Sequence, residues 1–402
     1  MKNIKKDFPI FKYHPHLTYL DSAATALKPQ IVIDKINDYY QKYSANIFRG
    51  VYSLSEKATA EYEETRKIVA QFIGGKTEEI VFTRNATESL NLVAHGLGQQ
   101  LTGKPGQIVT TIMEHHANFV PWQALARQKG WTLKTTDINE DGQLKCLADQ
   151  ITKQTKILAI TYVSNVLGTI NRIKKITRTA KKINPKIIVV VDGAQAVPHL
   201  KINVARLGAD FVAFSSHKML GPTGVGVLWG RKKLLEKLPP YQYGGEMIKQ
   251  VTVKKTTFQS PPHRFEAGTP HIAGVIALKE AIGYLQGIGR DKISRHEQKM
   301  AKQTILRLKK EFGDQIKIFG PQPDQPQTGV VSFAFAGYHP HDVAQILDEN
   351  HLCVRAGHHC AQPLHQRLGI EATIRASFYV YNEEKDIDKL VKNLKKVQRI
   401  LK

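Results

Sequence analysis

Two apolar runs in the middle of the chain each stop at a side chain that could do chemistry. Ile187-Ile188-Val189-Val190-Val191 ends in Asp192-Gly193-Ala194-Gln195-Ala196, and Phe211-Val212-Ala213-Phe214 ends in Ser215-Ser216-His217-Lys218, with a sharp Gly221-Pro222-Thr223-Gly224 turn beyond. A lysine held at the end of a buried strand loses hydration, which lowers its pKa towards nucleophilic use. Taken alone, Lys218 fits a solvated loop position better, because most lysines are exposed. Asp192 stands where open α/β sheets place their ligands, or else caps the helix that follows. The pair says more than either residue. A carboxylate that keeps a pyridinium nitrogen protonated and an amine that bonds an aldehyde are the two protein groups that pyridoxal phosphate (PLP) chemistry needs most.

Other residues could complete such a site. Asn85-Ala86-Thr87-Glu88 reads as a capped helix start whose first-turn N–H groups attract a phosphate, with Ser215 and His217 as further donors. Every helix has such a start, so the signal is weak. One of His115-His116 could stack on an aromatic cofactor and move protons; a metal ligand or a surface histidine are the rival readings. In Arg355-Ala356-Gly357-His358-His359-Cys360 the neighbours of the thiol favour the nucleophilic thiolate. The same histidines, with His365, could instead hold zinc, although adjacent ligands make poor tetrahedral sites. Arg375 could clamp a carboxylate bidentately or be a plain surface arginine. Cys353 reads as a small core residue, and Cys146 has no chemical context.

These residues need rigid elements behind them. Strand-like and helix-like stretches alternate from Ile80-Val81-Phe82-Thr83 onward, and the continuous apolar runs read as a parallel sheet buried on both faces. Pro/Gly clusters at Pro239–Gly245 and Ser260–Pro270 read as long surface loops. The character changes near residue 290, and a chain of 402 residues is long for one core. The expected division is an N-terminal arm over 1–20, a large cofactor-binding domain over 21–288, and a small domain over 289–402 that carries Cys360. The closing helix places Ile387, Leu390, Val391, Leu394, Val397 and Leu401 on one face.

The net charge of +23 comes from 58 basic and 35 acidic residues spread over the whole length, which fits solvated helix faces better than a nucleic-acid-binding surface. Three cysteines without paired spacing argue against a disulfide framework. No apolar core for a signal peptide stands at Met1–Pro9 and no apolar run approaches the roughly 20 residues of a membrane span, so a cytoplasmic protein is expected.

In order along the chain, Tyr19–Ala24, Met113–Asn118 with Val120-Pro121-Trp122, Val163–Gly168, Val191–Ala196, Ser215–Lys218, Arg264–Pro270 and Arg355–Cys360 resemble the Suf-type cysteine desulfurases of the class V aminotransferase family. The resemblance runs nearly end to end. It implies the fold type I of PLP-dependent transferases, with a mostly parallel seven-stranded sheet between helices and a smaller α+β domain. It implies that Lys218 binds PLP covalently and moves the Cα proton, that His116 stacks on the ring, that Asp192 pairs with its nitrogen, and that Gln195 bonds its phenolic oxygen. Thr87, Ser215 and His217 would hold the phosphate, joined by Gly268 and Thr269 from the second subunit of a homodimer. Asn165, Arg355 and Arg375 would hold L-cysteine, and Cys360 would take its sulfur as a persulfide, leaving alanine.

The compact Arg355–Cys360 segment resembles the short-loop members, which unload sulfur onto an acceptor protein of SufU or SufE type for iron–sulfur cluster assembly. His339-Pro340-His341-Asp342 resembles members whose acceptor contains zinc, with His341 as the candidate transient zinc contact; a plain helix start is the alternative. No resident metal is implied. Two positions depart from the family pattern, Phe48 before Arg49-Gly50 and Ala86 at the phosphate helix, where a hydroxyl contact is lost. A selenocysteine lyase of the same fold is the nearest rival activity, and a basic nucleic-acid-binding protein the rival of another class.

Overall fold

Successive residues of the central strands face two different cores. The computed structural model describes residues 4–103 and 106–401; residues 1–3 of the expected arm, residues 104–105 and residue 402 lie outside the described residues. Numbered along the chain, the strands are β1 (Thr18–Tyr19), β2 (Ile80–Thr83), β3 (Gln107–Thr111), β4 (Thr132–Thr136), β5 (Thr155–Thr161), β6 (Ile188–Asp192), β7 (Phe211–Ser215) and β8 (Gly226–Gly230). There follow β9 (Ile248–Val251), β10 (Thr256–Phe258), β11 (Ile316–Phe319), β12 (Val330–Phe335), β13 (Leu352–Cys353), β14 (Arg355–Gly357) and β15 (Thr373–Ser377).

The larger sheet has seven strands in the order β2-β8-β7-β6-β5-β3-β4, and only β8 runs against its neighbours. Leu158, Ile160, Val189, Val191, Val212 and Phe214 enter one core, while Ile157, Ala159, Ile188, Val190, Phe211 and Ala213 enter the other. Side chains alternate along a strand, so a sheet covered by helices on both faces must be apolar at every position. That is why these strands read as unbroken apolar runs. Helices Gln30–Lys42 and Ser53–Ile73 pack with Ile272–Ile288 on the first side, and Ala86–Gln100 with Val120–Lys129 on the second.

A second, antiparallel sheet has the order β11-β12-β15-β14, backed by helices Arg290–Phe312, Pro340–Asp348 and Glu384–Ile400. Ile387, Leu390, Val391, Leu394 and Val397 lie in its core, as their spacing anticipates. The N-terminal segment is built into the same core: β1 pairs in parallel with β13, Leu20 is buried among these residues, and Lys5 is 3.0 Å from the buried Asp386.

Several elements carry no sequence signal. β4 is an edge strand whose residues are mostly exposed, so it shows no apolar run. β9 and β10 form a small antiparallel hairpin between the two Pro/Gly clusters, and helix Gln362–Leu368 starts directly behind Cys360. β15 leaves the ladder after Ser377, and Phe378–Tyr381 turn into the core. Among the described residues no helix is long and apolar enough to cross a membrane.

Candidate active site

The carboxyl ends of β5, β6 and β7 open on a cavity of about 490 Å³. Register places Asp192 beside Thr161 on one side and Ala213 on the other. Its carboxylate accepts Ala194 N–H at 2.9 Å, no helix follows it, and burial pushes its pKa up, opposed by that bond and by Lys218. Lys218 ends the short turn Ser216–Lys218 after β7 and lines the same cavity. Burial lowers its pKa and Asp192 counteracts this, so the amine is available neutral at a lower pH than a surface lysine.

One end of the cavity is the start of helix Ala86–Gln100. Asn85 caps it by accepting Glu88 N–H at 2.9 Å, and Ala86 N–H donates to Ser215 Oγ at 2.8 Å. Gly226 makes this approach possible, because a Cβ there would stand 2.4 Å from Asn85 Cα. Thr87, Ser215 and His217 line this end, and burial holds His217 down to about 4. Gly268 and Thr269 are exposed and do not line the cavity of their own chain.

The histidine pair divides its work differently from the expectation. His115, not His116, lines the cavity; its Nδ1 accepts Ala117 N–H at 3.0 Å, leaving the proton on Nε2 of the neutral ring. Burial and Lys218 push its pKa down to about 3. His116 points to the cysteine loop, where its N–H donates to Cys360 O at 2.7 Å and its Nε2 accepts Gln362 N–H at 3.1 Å. The pair opens a short 3-10 turn, which sends adjacent side chains apart.

The opposite wall comes from the second sheet. Cys360 is exposed to the cavity in a left-handed backbone conformation (φ 55°), as is His359 (φ 50°). Such residues cost free energy unless the surroundings hold them. A chain of bonds does so: His365 Nδ1 to Ala361 O (3.1 Å), His365 Nε2 to Thr373 Oγ1 (3.1 Å), and Thr373 Oγ1 to His359 Nε2 (2.9 Å). A carbonyl only accepts, so His365 carries its proton on Nδ1, Thr373 donates to His365, and His359 donates to Thr373. Two of the histidines of the alternative zinc set are thus committed to one hydroxyl, and among the described residues no group of metal-ligating side chains assembles. Asn165 Nδ2–H reaches across to His359 O at 2.8 Å.

Arg375 is buried, donating Nη1–H to Asn165 O at 3.0 Å and Nη2–H to Asp21 at 3.1 Å, with no partner at Nε. Arg355 forks onto the same Asp21 carboxylate at 2.9–3.2 Å. Asp21 was not singled out by the sequence reading, although it closely follows β1 much as Asp192 ends β6. Ala23, Ala24 and Thr25 beside it line the cavity as well, and Lys28, whose pKa burial lowers to about 8, bonds His217 O at 3.1 Å. Phe48 packs edge-on against Tyr62 and His263 and does not line the cavity.

The residues present fit PLP. Gln195 donates Nε2–H to Ala23 O at 2.6 Å while its buried Oε1 has no protein partner, so the cavity floor holds a polar group free to bond a ligand. A carboxylate, an amine and a helix N-terminus converge beside it. A larger groove of about 1030 Å³, between residues 143–151 and helix Ile173–Ile183, has exposed cations and Cys146 at its rim but no such convergence.

The family model described as aminotransferase class V matches residues 18–390. A probable cysteine desulfurase of Streptomyces coelicolor is 47% identical, the match covering 98% of this chain and 96% of that protein. The apo cysteine desulfurase of Thermococcus onnurineus superposes with a TM-score of 0.94 at 43% identity, covering 98% and 97% of the two chains. The cysteine desulfurase CsdA of Escherichia coli, in an S-sulfonic acid form, gives 0.91 at 36% identity over 99% and 98%.

Proposed function

The chain belongs to the class V aminotransferase family, and from that premise we propose that it is a cysteine desulfurase that takes the sulfur of L-cysteine onto Cys360 and releases L-alanine. It is an enzyme, and its cofactor is PLP. The observation that carries the reading is the meeting of Lys218 and Cys360 on one cavity, supplied by different sheets.

Bound there, PLP would supply an aldehyde for the substrate amine and a sink for the electrons released when the Cα proton leaves. Asp192 would keep the ring nitrogen protonated, His115 would meet the ring, and Gln195 would meet its phenolic oxygen. Thr87, Ser215, His217 and the first N–H groups of helix Ala86–Gln100 would hold the phosphate, with Gly268 and Thr269 reaching in from the second copy of a homodimer. Arg375 offers the substrate carboxylate its unpaired Nε–H, and Asn165 fixes that guanidinium from behind. Lys218 Nζ, whose pKa burial lowers, removes the Cα proton. The Cys360 thiolate then attacks the substrate sulfur: an S–S bond forms, the Cβ–S bond breaks, and its electron pair stays on Cβ, which is protonated to the methyl of alanine.

The persulfide passes to an acceptor of SufU or SufE type for iron–sulfur cluster assembly in the cytoplasm. His341 is the candidate contact to a zinc-containing acceptor. It is exposed at the start of helix Pro340–Asp348, which packs on β14, the strand leading to Cys360. Two variants test the core of this reading. Cys360→Ala should abolish alanine release from L-cysteine and the 32-dalton gain of sulfur on the protein, while keeping the yellow colour of bound PLP. Lys218→Ala should lose both colour and turnover. Alanine release that survives Cys360→Ala overturns the persulfide route, and preferred turnover of L-selenocysteine in that variant selects the lyase activity instead.

A further inference from the structure

Arg355 and Arg375 stand directly opposite each other in the ladder between β14 and β15. Like charges so paired repel each other, and Arg375 is only 2% exposed, where water does little to screen the repulsion. Asp21 resolves the conflict. Its Oδ2 accepts Arg355 Nη2–H at 2.9 Å and its Oδ1 accepts Arg375 Nη2–H at 3.1 Å. Backbone pairing delivers it there: β1 pairs with β13 just ahead of Arg355, and Asp21 itself bridges to Ser377 just after Arg375. Two cations and one anion leave a single net positive charge at this end of the cavity. Among the buried nitrogens of this cluster, Arg375 Nε has no partner.

We propose that Asp21 is a specificity-determining positioning residue, which ties down Arg355 and so limits this end of the cavity to ligands with a single carboxylate. The inference rests on the desulfurase reading for the identity of the substrate. With Asp21 in place, one net charge is offered to one carboxylate. Without it, Arg355 is released and two cations face the cavity, so a dianion gains more than a monoanion does.

The test uses the PLP-loaded enzyme and two thiols that lack an amine and differ by one carboxylate, 3-mercaptopropionate and mercaptosuccinate, with affinities measured by calorimetry. Asp21→Asn, which keeps the side-chain shape, should improve mercaptosuccinate binding roughly tenfold more than that of 3-mercaptopropionate. Asp21→Glu should keep the parent ratio. Arg355→Gln reads the same charge balance in reverse, the dianion losing more than the monoanion, and keeps the test open should Asp21→Asn fail to fold. An unchanged ratio of affinities in either variant, including equal loosening of both ligands, overturns the proposal. Alanine release from L-cysteine by the parent is measured alongside. Its absence sinks the desulfurase reading, whereas release with an unchanged ratio sinks only the role of Asp21.

Discussion

A histidine that lines the cavity and a histidine that ties down the Cys360 loop are neighbours in the chain, and their substitutions should separate. His115→Ala should lower kcat by about 10²–10⁴-fold, the range for a group acting on protons or ring orientation, and His116→Ala by only a few fold, as the Cys360 loop loosens. Steady-state rates of alanine release distinguish them; the reverse ranking would restore the sequence-based choice of His116. The His365–Thr373–His359 chain makes a second prediction. Thr373→Val removes a hydroxyl that serves two buried imidazoles and should cost about 1–3 kcal/mol of unfolding free energy, read from denaturant melts. It should also slow sulfur loading of Cys360 more than it weakens L-cysteine binding. The types of these residues were legible in the sequence, but their directions were not. A 3-10 turn of three residues decides which of two adjacent histidines enters the cavity, and spacing contains no information about that.

Elements meet at the strand ends through Glu114, which is buried between β3 and β5. It accepts Thr161 N–H at 2.9 Å and Asn118 Nδ2–H at 2.6 Å and lies 2.6 Å from Thr111 Oγ1. Burial raises its pKa from 4.5 to about 8. The folded state therefore binds this proton more tightly than the unfolded chain. Its contribution to stability is full below pH 4.5 and declines as pH rises through about 8. Chemical denaturation at several pH values should show that decline in the parent and not in Glu114→Gln. Gly226→Ala tests the packing of the phosphate helix on β8. A Cβ 2.4 Å from Asn85 Cα must push the helix start away, costing about 1–3 kcal/mol and weakening PLP retention during dialysis. β6, which ends in Asp192, and β7, which leads to Lys218, were legible because both faces are buried. β4 and the β9–β10 hairpin were not, since an edge or surface strand needs no apolar run.

At the scale of the whole molecule, Gly268 and Thr269 are exposed and away from the cavity of their own chain, which accords with a proposed role across a dimer. Light scattering should give twice the chain mass of 45.2 kDa. Thr269→Val should raise the dissociation constant of PLP without changing that mass. A monomer that retains PLP at full affinity would remove both residues from the phosphate site.

The sequence by itself determined the two-sided sheet and the strand ends at which Asp192 and Lys218 stand. Both follow from local pattern: apolar periodicity and a polar residue where it stops. Tertiary structure alone decided that His115 faces the cavity, that His359 and His365 share one threonine, and that Asp21 sits between two arginines. Asp21 and Arg355 are 334 residues apart in the chain. Their contact exists because β1 pairs with β13, and no local pattern encodes which distant strand a short segment joins.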